Sequence, residues 1–271
     1  MNRFLKRAWA EIDLDALTHN YNEIKKLAKG KEILAVVKAN AYGHDDKAVC
    51  LKLQELGVKY YGVSNLWEGE KLRQHGITGT VLTFGYTDED YFDELLEYGI
   101  TQTAGSVQYA KELSDYAVSK GVKLPVHIKV NTGMTRVGID TEEEMLEILA
   151  MPGLDCKAAY THFAAADSFE PSDIEYTNRQ QEKLMKIAKD KGLLIHSQNS
   201  GGIIYHGDFG GDIVRAGVIL YGHCPNYPLE VPFEMKSVMT VKSVVSQLKT
   251  IPAGTQISYG RTYTAPKRLK A

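Results

Sequence analysis

The sequence predicts an α/β fold: a (β/α)8 barrel of the TIM type, followed by the first strands of a truncated β-domain. Short apolar runs alternate with amphipathic stretches, and eight such runs can be counted before the pattern changes near residue 237. Strands that alternate with helices pair in parallel through right-handed crossovers, and eight of them favour a closed barrel. An open doubly wound sheet is the alternative.

Each predicted strand is a short run rich in β-branched or aromatic residues, as is typical of strands buried on both faces. The runs are 33–37, 60–64, 80–84, 100–104, 126–130, 156–163, 193–199 and 212–216. Capping residues and glycine stops predict the helices. These are 15–28, 45–56, 88–98, 106–120, 141–151 and 172–191.

From residue 237 the sequence alternates with a period near two as far as 251, and a turn at Pro252–Gly254 precedes a second run at 255–265. This pattern predicts a strand, a turn and a second strand, the opening hairpin of a separate β-domain. We therefore divide the chain into a barrel domain at 1–236 and an incomplete β-domain at 237–271.

Composition excludes several classes of protein. The net charge of −2 argues against a nucleic-acid-binding protein, which usually carries a basic excess. No apolar window approaches the ~20 residues of a membrane span, and the first ten residues lack the apolar core of a secretory signal. The three cysteines lie far apart, which fits a reducing cytoplasm better than a disulfide framework or a zinc site.

Polar residues follow the ends of the predicted strands, where parallel barrels carry their active sites. Lys38 comes directly after the first strand. Its amine either lies in water at the rim or is desolvated, with a lowered pKa, and forms a Schiff base. Ser200, Gly201 and Gly202 after the seventh strand and Gly217 after the eighth offer a hydroxyl and N–H groups to a phosphate.

Four more residues in or after these strands carry charge or titrate. Arg215 lies in an apolar stretch and needs an acceptor if it is buried, and Arg136 can bind a carboxylate through two N–H groups; the alternative for both is a surface ion pair. His162 is either a core histidine or packs on a flat ring. Lys129 lies mid-strand and needs a carboxylate or a chemical change to an anion. No metal-ligand spacing is present, so no metal is predicted.

Seven motifs, in order along the chain, resemble the alanine racemase family of fold-type III pyridoxal-phosphate enzymes. They are AWAEIDLDALTHN (8–20), VVKANAYGH (36–44), KVNTGMTRVG (129–138), THF (161–163), NSGG (199–202), VRAGVILYG (214–222) and ISYGRTY (257–263). The resemblance implies a cytoplasmic isomerase that interconverts L- and D-alanine and supplies D-alanine for cell-wall peptidoglycan.

By this resemblance Lys38 would carry pyridoxal 5′-phosphate covalently. Arg215 would face the pyridine nitrogen and leave it unprotonated, because a guanidinium does not readily give up its proton. The other residues implied to bind the cofactor are Tyr42, Ser200, Gly217 and the backbone of Val218 at the phosphate, together with His162 and Asn199.

The resemblance also implies how substrate is bound and racemised. Arg136 would bind the cofactor's phenolic oxygen or the substrate's carboxylate, and Lys129 matches a position that is carbamylated in such enzymes, which would supply Arg136 with a negative partner. Lys38 would be the base on one face of the α-carbon and Tyr259 the base on the other. In the family this tyrosine reaches into the partner subunit's barrel, so a homodimer is implied.

Family members continue as a β-domain beyond the point where this sequence ends, so we expect an incomplete form whose activity and dimerisation depend on the missing part. Three alternatives remain open at this stage. The first is a racemase for serine or another amino acid. The second is a non-catalytic barrel that binds pyridoxal phosphate, and the third is a class I aldolase in which Lys38 reacts with substrate directly.

Overall fold

The computed structural model describes residues 7–226 and 231–271. Residues 1–6 and 227–230 lie outside the described part of the chain. The expectation about a secretory signal depends partly on the first six residues and therefore falls outside it too. The chain divides into two compact units. One runs from Ile12 to Val238, and the other consists of residues 7–11 with Met239–Ala271.

The larger unit contains an eight-stranded sheet, and all of its strand pairs are parallel. The first strand of the chain, β1 (Ala8–Ile12), is not part of this sheet. The strands of the sheet are β2 (Glu32–Val36), β3 (Tyr60–Val63), β4 (Thr80–Thr83), β5 (Ile100–Ala104), β6 (Leu124–Lys129), β7 (Leu154–Tyr160), β8 (Leu194–His196) and β9 (Ile213–Ala216). Their order is β8-β7-β6-β5-β4-β3-β2-β9.

Two backbone hydrogen bonds join the edge strands β8 and β9. Asp212 N donates to Ile195 O, and Arg215 N donates to Gln198 O, each at 2.8 Å. The sheet therefore closes on itself, and the predicted α/β barrel is confirmed over the open-sheet alternative.

Helices connect the strands at Leu14–Leu27, Asp46–Glu55, Leu66–Gln74, Phe92–Glu97, Val107–Ser119, Glu142–Leu149, Pro171–Ala188 and Ser200–Tyr205. The helix at Leu66–Gln74 was not predicted, although Asn65 caps it. Its Gly69 disfavours a helix locally but permits close packing, since a Cβ there would lie 3.0 Å from Ile100 Cδ1. In residues 7–226 and 231–271 no helix combines the length and apolarity that crossing a membrane requires.

The alternation of side chains along β6 explains how polar groups reach the barrel interior. Val126 and Ile128 belong to the large apolar cluster that also contains Leu113 and Met145 of the surrounding helices. Neighbouring residues of a strand point to opposite faces, so His127 and Lys129, which are also buried, point to the inside. A smaller apolar cluster occupies the interior elsewhere, formed by Leu34, Val36, Leu82 and Ile213.

The second unit differs from its predicted hairpin. Strand β10 (Met239–Ser243) pairs with β1 rather than with the segment that follows it. The short strands β11 (Thr250–Ile251), β12 (Gln256–Ile257), β13 (Tyr263–Thr264) and β14 (Leu269–Lys270) form two antiparallel pairs, β11 with β14 and β12 with β13. The predicted continuous strand at 255–265 is therefore wrong. Ser258, Gly260 and Arg261 adopt positive φ, which ends β12 and places Tyr259 in a 3₁₀ turn.

Candidate active site

A cavity of about 440 Å³ opens at the carboxyl ends of the barrel strands. Ten of the predicted site residues line it: Lys38, Tyr42, Lys129, Arg136, His162, Asn199, Ser200, Arg215, Gly217 and Val218. The eleventh, Tyr259, lies in the other unit and is 99% exposed. Closure of the barrel thus brings together residues that are far apart in sequence.

Lys38 follows β2 and is half-buried in the wall of the cavity. Its Nζ lies 6.0 Å from the centroid of the Tyr42 ring. The amine is therefore directed into the cavity, beside an aromatic side chain that begins only four positions later.

The segment between these two residues is a left-handed turn. Ala39, Asn40, Ala41 and Tyr42 all have φ between 52° and 55°. A left-handed conformation costs non-glycine residues roughly 1–2 kcal/mol each, so the turn needs support from outside itself. Ala39 N donates to Glu68 Oε1 at 2.9 Å, and Asn40 Oδ1 accepts from Asp46 N at 3.0 Å.

Tyr42, Ser200 and Gly217 form what we call the anion cradle. Gly217 N donates to Ser200 Oγ at 3.1 Å. A Cβ at position 217 would lie 3.3 Å from Tyr42 Oη and 3.5 Å from Ser200 Oγ. Two hydroxyls therefore converge on space that a side chain at position 217 would fill, and the N–H of Gly217 fixes one of them. Hydroxyl donors placed in this way fit a phosphate.

Arg215 is 3% exposed. Its Nη1 donates to His196 O at 2.8 Å, and its Nη2 donates to Thr161 O at 2.6 Å and to Ser197 O at 2.9 Å. Burial lowers the pKa of Arg215 to about 10, so the guanidinium stays charged at neutral pH. The acceptor that the sequence required is thus a set of backbone carbonyls.

His162 lies against this guanidinium, with its Nδ1 3.3 Å from Arg215 Nη2. Burial, followed by the positive charges of Arg215 and Lys129, lowers the pKa of His162 to about 3. The ring is neutral at physiological pH and contributes a flat, uncharged surface to the cavity wall.

Lys129 is 6% exposed, and its Nζ donates to Val130 O at 2.8 Å. Burial, with smaller contributions from Arg215 and Arg136, lowers the pKa of its amine to about 7. A substantial fraction of this lysine is therefore an uncharged nucleophile at neutral pH. Arg136 is exposed and lines the same cavity.

Asn199 and Val218 lie in the two loops that carry the anion cradle. Asn199 Oδ1 accepts from Gly202 N at 3.0 Å and caps the helix Ser200–Tyr205. Val218 begins a 3₁₀ helix directly after Gly217. Both residues shape the loops that carry the anion cradle.

Sequence reasoning missed Tyr160, which ends β7 and also lines the cavity. Its ring stacks on His196 with centroids 4.7 Å apart and an interplanar angle of 9°. Lys129 Nζ and Arg215 Cζ lie 5.6 Å and 5.5 Å from its centroid. Its position at a strand end was the available signal, but a tyrosine in an apolar run is usually a packing residue.

Comparison with known proteins identifies the family. Residues 12–225 match the family described as "Alanine racemase, N-terminal domain", and residues 238–271 match "Alanine racemase, C-terminal domain". The chain belongs to the alanine racemase family. The resemblance drawn from its motifs is thereby confirmed.

Individual members of the alanine racemase family align along the whole chain. The alanine racemase of Clostridium perfringens (strain SM101 / Type A) is 38% identical over 281 aligned residues, which cover 100% of this chain and 72% of that protein. The structure of the alanine racemase of Clostridium difficile 630 superposes with a TM-score of 0.90 at 34% identity, covering 99% of this chain and 72% of that one.

A third relative is a structure of the Bartonella henselae alanine racemase with covalently bound pyridoxal phosphate. It has a TM-score of 0.83 and 25% identity, and the match covers 97% of this chain and 74% of that one.

Proposed function

We propose that the chain is a pyridoxal-5′-phosphate-dependent alanine racemase that interconverts L- and D-alanine. One observation carries the proposal: the amine of Lys38 lines the same cavity as the anion cradle of Tyr42, Ser200 and Gly217. An aldehyde cofactor that bears a phosphate needs both an amine and an anion site within one molecule's length.

The residues present fit this cofactor. Lys38 would hold its aldehyde carbon, and the anion cradle with the backbone of Val218 would hold its phosphate. Arg215 would donate to the ring nitrogen while keeping its own proton, since its pKa of about 10 leaves it charged. His162 and Asn199 complete the proposed cofactor-binding set.

Pyridoxal phosphate, when bound, supplies an electron-withdrawing ring that acidifies the α-proton of an amino acid attached to it. Racemisation then requires one proton-transfer group on each face of the α-carbon. We assign Nζ of Lys38 to one face and Oη of Tyr259 to the other. Arg136 would orient the substrate by binding its carboxylate.

Lys129 would become a carbamate and so supply the anion that pairs with Arg136. The neutral amine attacks the carbon of carbon dioxide and forms a C–N bond. One C=O π bond breaks, its electron pair moves to oxygen to give a carboxylate, and a proton leaves the nitrogen. Burial and two neighbouring arginines support this step. Both favour the neutral amine before the reaction, and the positive charges of the arginines favour the anion after it.

The remaining parts of the proposal concern the whole protein. We assign a barrel domain to 1–236 and the start of a β-domain to 237–271, and we expect a cytoplasmic homodimer that supplies D-alanine for peptidoglycan. The alternatives within the family are a racemase for serine or another amino acid and a non-catalytic barrel that binds pyridoxal phosphate.

The decisive experiment compares this chain with a version extended by the C-terminal residues of the Clostridium perfringens relative. Each is incubated with pyridoxal phosphate and either L-alanine or L-serine, and D-products are measured by chiral chromatography beside the visible spectrum and the oligomeric state. We expect both versions to bind the cofactor and the extended version to form D-alanine.

Faster formation of D-serine than of D-alanine would mean that serine is the substrate and would overturn the assignment of alanine. Cofactor binding without any racemisation by the extended version would favour a carrier. A chain that stays colourless with pyridoxal phosphate would overturn the proposal.

A further inference from the structure

The left-handed turn after Lys38 is held at its first residue by a side chain from a different helix. Glu68 lies in the helix Leu66–Gln74, and its Oε1 accepts from Ala39 N at 2.9 Å. Its Oε2 accepts from Ser64 N, directly after β3, at 2.7 Å. One carboxylate therefore ties the start of the turn to the end of the neighbouring strand.

The position of Glu68 is itself fixed. Asn65 Oδ1 accepts from Glu68 N at 3.1 Å and caps the first turn of this helix. Hydrogen bonds to an ionised acceptor are shorter and stronger than neutral ones. Strong bonds of this kind offset the conformational cost of a backbone segment whose φ values non-glycine residues rarely adopt.

The turn determines where two parts of the site point. Lys38 directly precedes it and Tyr42 ends it, and Ala41 between them is fully buried. Tyr42 Oη belongs to the anion cradle, whereas Lys38 supplies the amine. If the turn unwound, the distance and direction between these two groups would change together.

We propose that Glu68 is a positioning residue. Its carboxylate clamps the left-handed turn so that the amine of Lys38 and the hydroxyl of Tyr42 reach the same small molecule. Glu68 is not one of the described residues that line the cavity, so it acts on the site through the backbone of Ala39. This inference rests on the proposed function, because the molecule that both groups reach is the phosphorylated aldehyde.

Geometry explains why the clamp requires a carboxylate. It accepts from two N–H groups at once, one on each oxygen. A glutamine at this position keeps one acceptor but turns an NH₂ donor toward the second N–H, so one of the two bonds is lost. An aspartate keeps both oxygens on a shorter side chain, which cannot span both donors.

The test compares Glu68→Gln with Glu70→Gln, a matched change on the same helix. The Glu70 side chain accepts from Gln74 Nε2 on the same helix and forms a hydrogen bond with Tyr98. Pyridoxal phosphate is titrated into each full chain at a temperature at which circular dichroism shows it folded. Visible absorbance gives affinity, and the fraction of Lys38 trapped by borohydride gives the extent of covalent capture.

We expect Glu68→Gln to weaken cofactor affinity at least 10-fold and to slow covalent capture, while Glu70→Gln behaves as the unsubstituted chain. Glycine adopts positive φ without penalty, so Ala39→Gly combined with Glu68→Gln should recover part of the loss. A role in folding alone would lower the unfolding temperature but leave the affinity of the folded protein unchanged.

Unchanged affinity and capture in Glu68→Gln, with normal binding by the unsubstituted chain, would overturn the clamp and leave the proposed function intact. No cofactor binding by the unsubstituted chain would overturn both. If Glu68→Gln does not fold, Glu68→Asp replaces it in the same comparison, with the same expected loss and the same partial recovery.

Discussion

Arg215 Nη1 and His196 Nδ1 lie 3.2 Å apart in the barrel interior, and this contact fixes where the histidine carries its proton. A guanidinium only donates hydrogen bonds, so Nδ1 of His196 accepts and its proton is on Nε2. That Nε2 lies 3.1 Å from His127 Nδ1, which must therefore accept in turn. The charge of Arg215 thus determines the tautomers of two buried histidines in sequence.

Acid should destabilise the protein through His127. Burial lowers its pKa to about 4 in the folded state, against ~6.5 when unfolded. Between these pH values only the unfolded chain binds the proton, so unfolding becomes more favourable as pH falls from about 6.5 to 4, by ~1.4 kcal/mol per pH unit for one proton.

Urea unfolding of the His127→Gln variant from pH 7 to 4 measures this effect. Glutamine keeps an acceptor and does not titrate, so the dependence of the unfolding free energy on pH should be shallower by one proton. An identical slope in both proteins would show that His127 is not the group responsible.

Replacing the amine should remove covalent binding of the cofactor. In Lys38→Ala we expect the visible absorption of the protein-bound cofactor to disappear and borohydride to trap no pyridoxal phosphate on the chain. Lys47→Ala, on the exposed side of a neighbouring helix, is the control and should keep both signals. Unaltered colour in Lys38→Ala would remove the assignment of this lysine.

Filling the anion cradle should discriminate between two forms of the cofactor. The methyl group of Gly217→Ala would sit 3.3 Å from Tyr42 Oη and 3.5 Å from Ser200 Oγ, so it occupies space needed by a phosphate. We expect at least a 10-fold loss of pyridoxal phosphate affinity, equivalent to ~1.4 kcal/mol, and a smaller loss for pyridoxal, which has no phosphate.

The control for the cradle is Gly207→Ala, where an added Cβ meets nothing within 4 Å. It should leave both affinities unchanged. Equal losses for pyridoxal and pyridoxal phosphate in Gly217→Ala would mean that this glycine does not serve a phosphate.

The carbamate on Lys129 is detectable directly. The pKa of about 7 makes its amine increasingly neutral above that pH, so ¹³C-bicarbonate should yield a protein-bound ¹³C carbamate signal that grows as pH rises through 7. The signal should be absent from Lys129→Met. A signal that persists in this variant would belong to another amine.

Tyr259→Phe should separate cofactor binding from proton transfer. In the extended version we expect the visible spectrum to be unchanged, while exchange of the α-proton with deuterated solvent slows roughly 10²–10⁴-fold from one enantiomer of alanine. Tyr263→Phe, a nearby exposed tyrosine of β13, is the matched control. Equal slowing from both enantiomers would contradict the assignment of Tyr259 to one face.

The strands of the barrel were predictable because each is a local property of the chain. A run such as 100–104 contains three β-branched residues, and its ends agree with β5. The pairing of β10 was not predictable in this way, because its partner β1 lies at the other end of the chain. A period-two pattern predicts a strand but does not identify the strand beside it.

The turn after Lys38 shows a second limit. No glycine marks the four residues with positive φ, so nothing local indicates a left-handed conformation. Its support comes from Glu68, which follows the next strand. Tyr160 was not predicted for a related reason. Its contacts within the barrel make it part of the site, and its sequence context does not indicate them.

By itself the sequence determined which chemical groups stand at the strand ends and that the strands are parallel, because hydrophobic periodicity and capping act over a few residues at a time. Tertiary structure alone decided which of those groups meet, which nitrogen of His196 holds its proton and how the backbone leaves Lys38. Those outcomes depend on hydrogen bonds between residues distant in the chain, which exist only once the barrel has closed between β8 and β9.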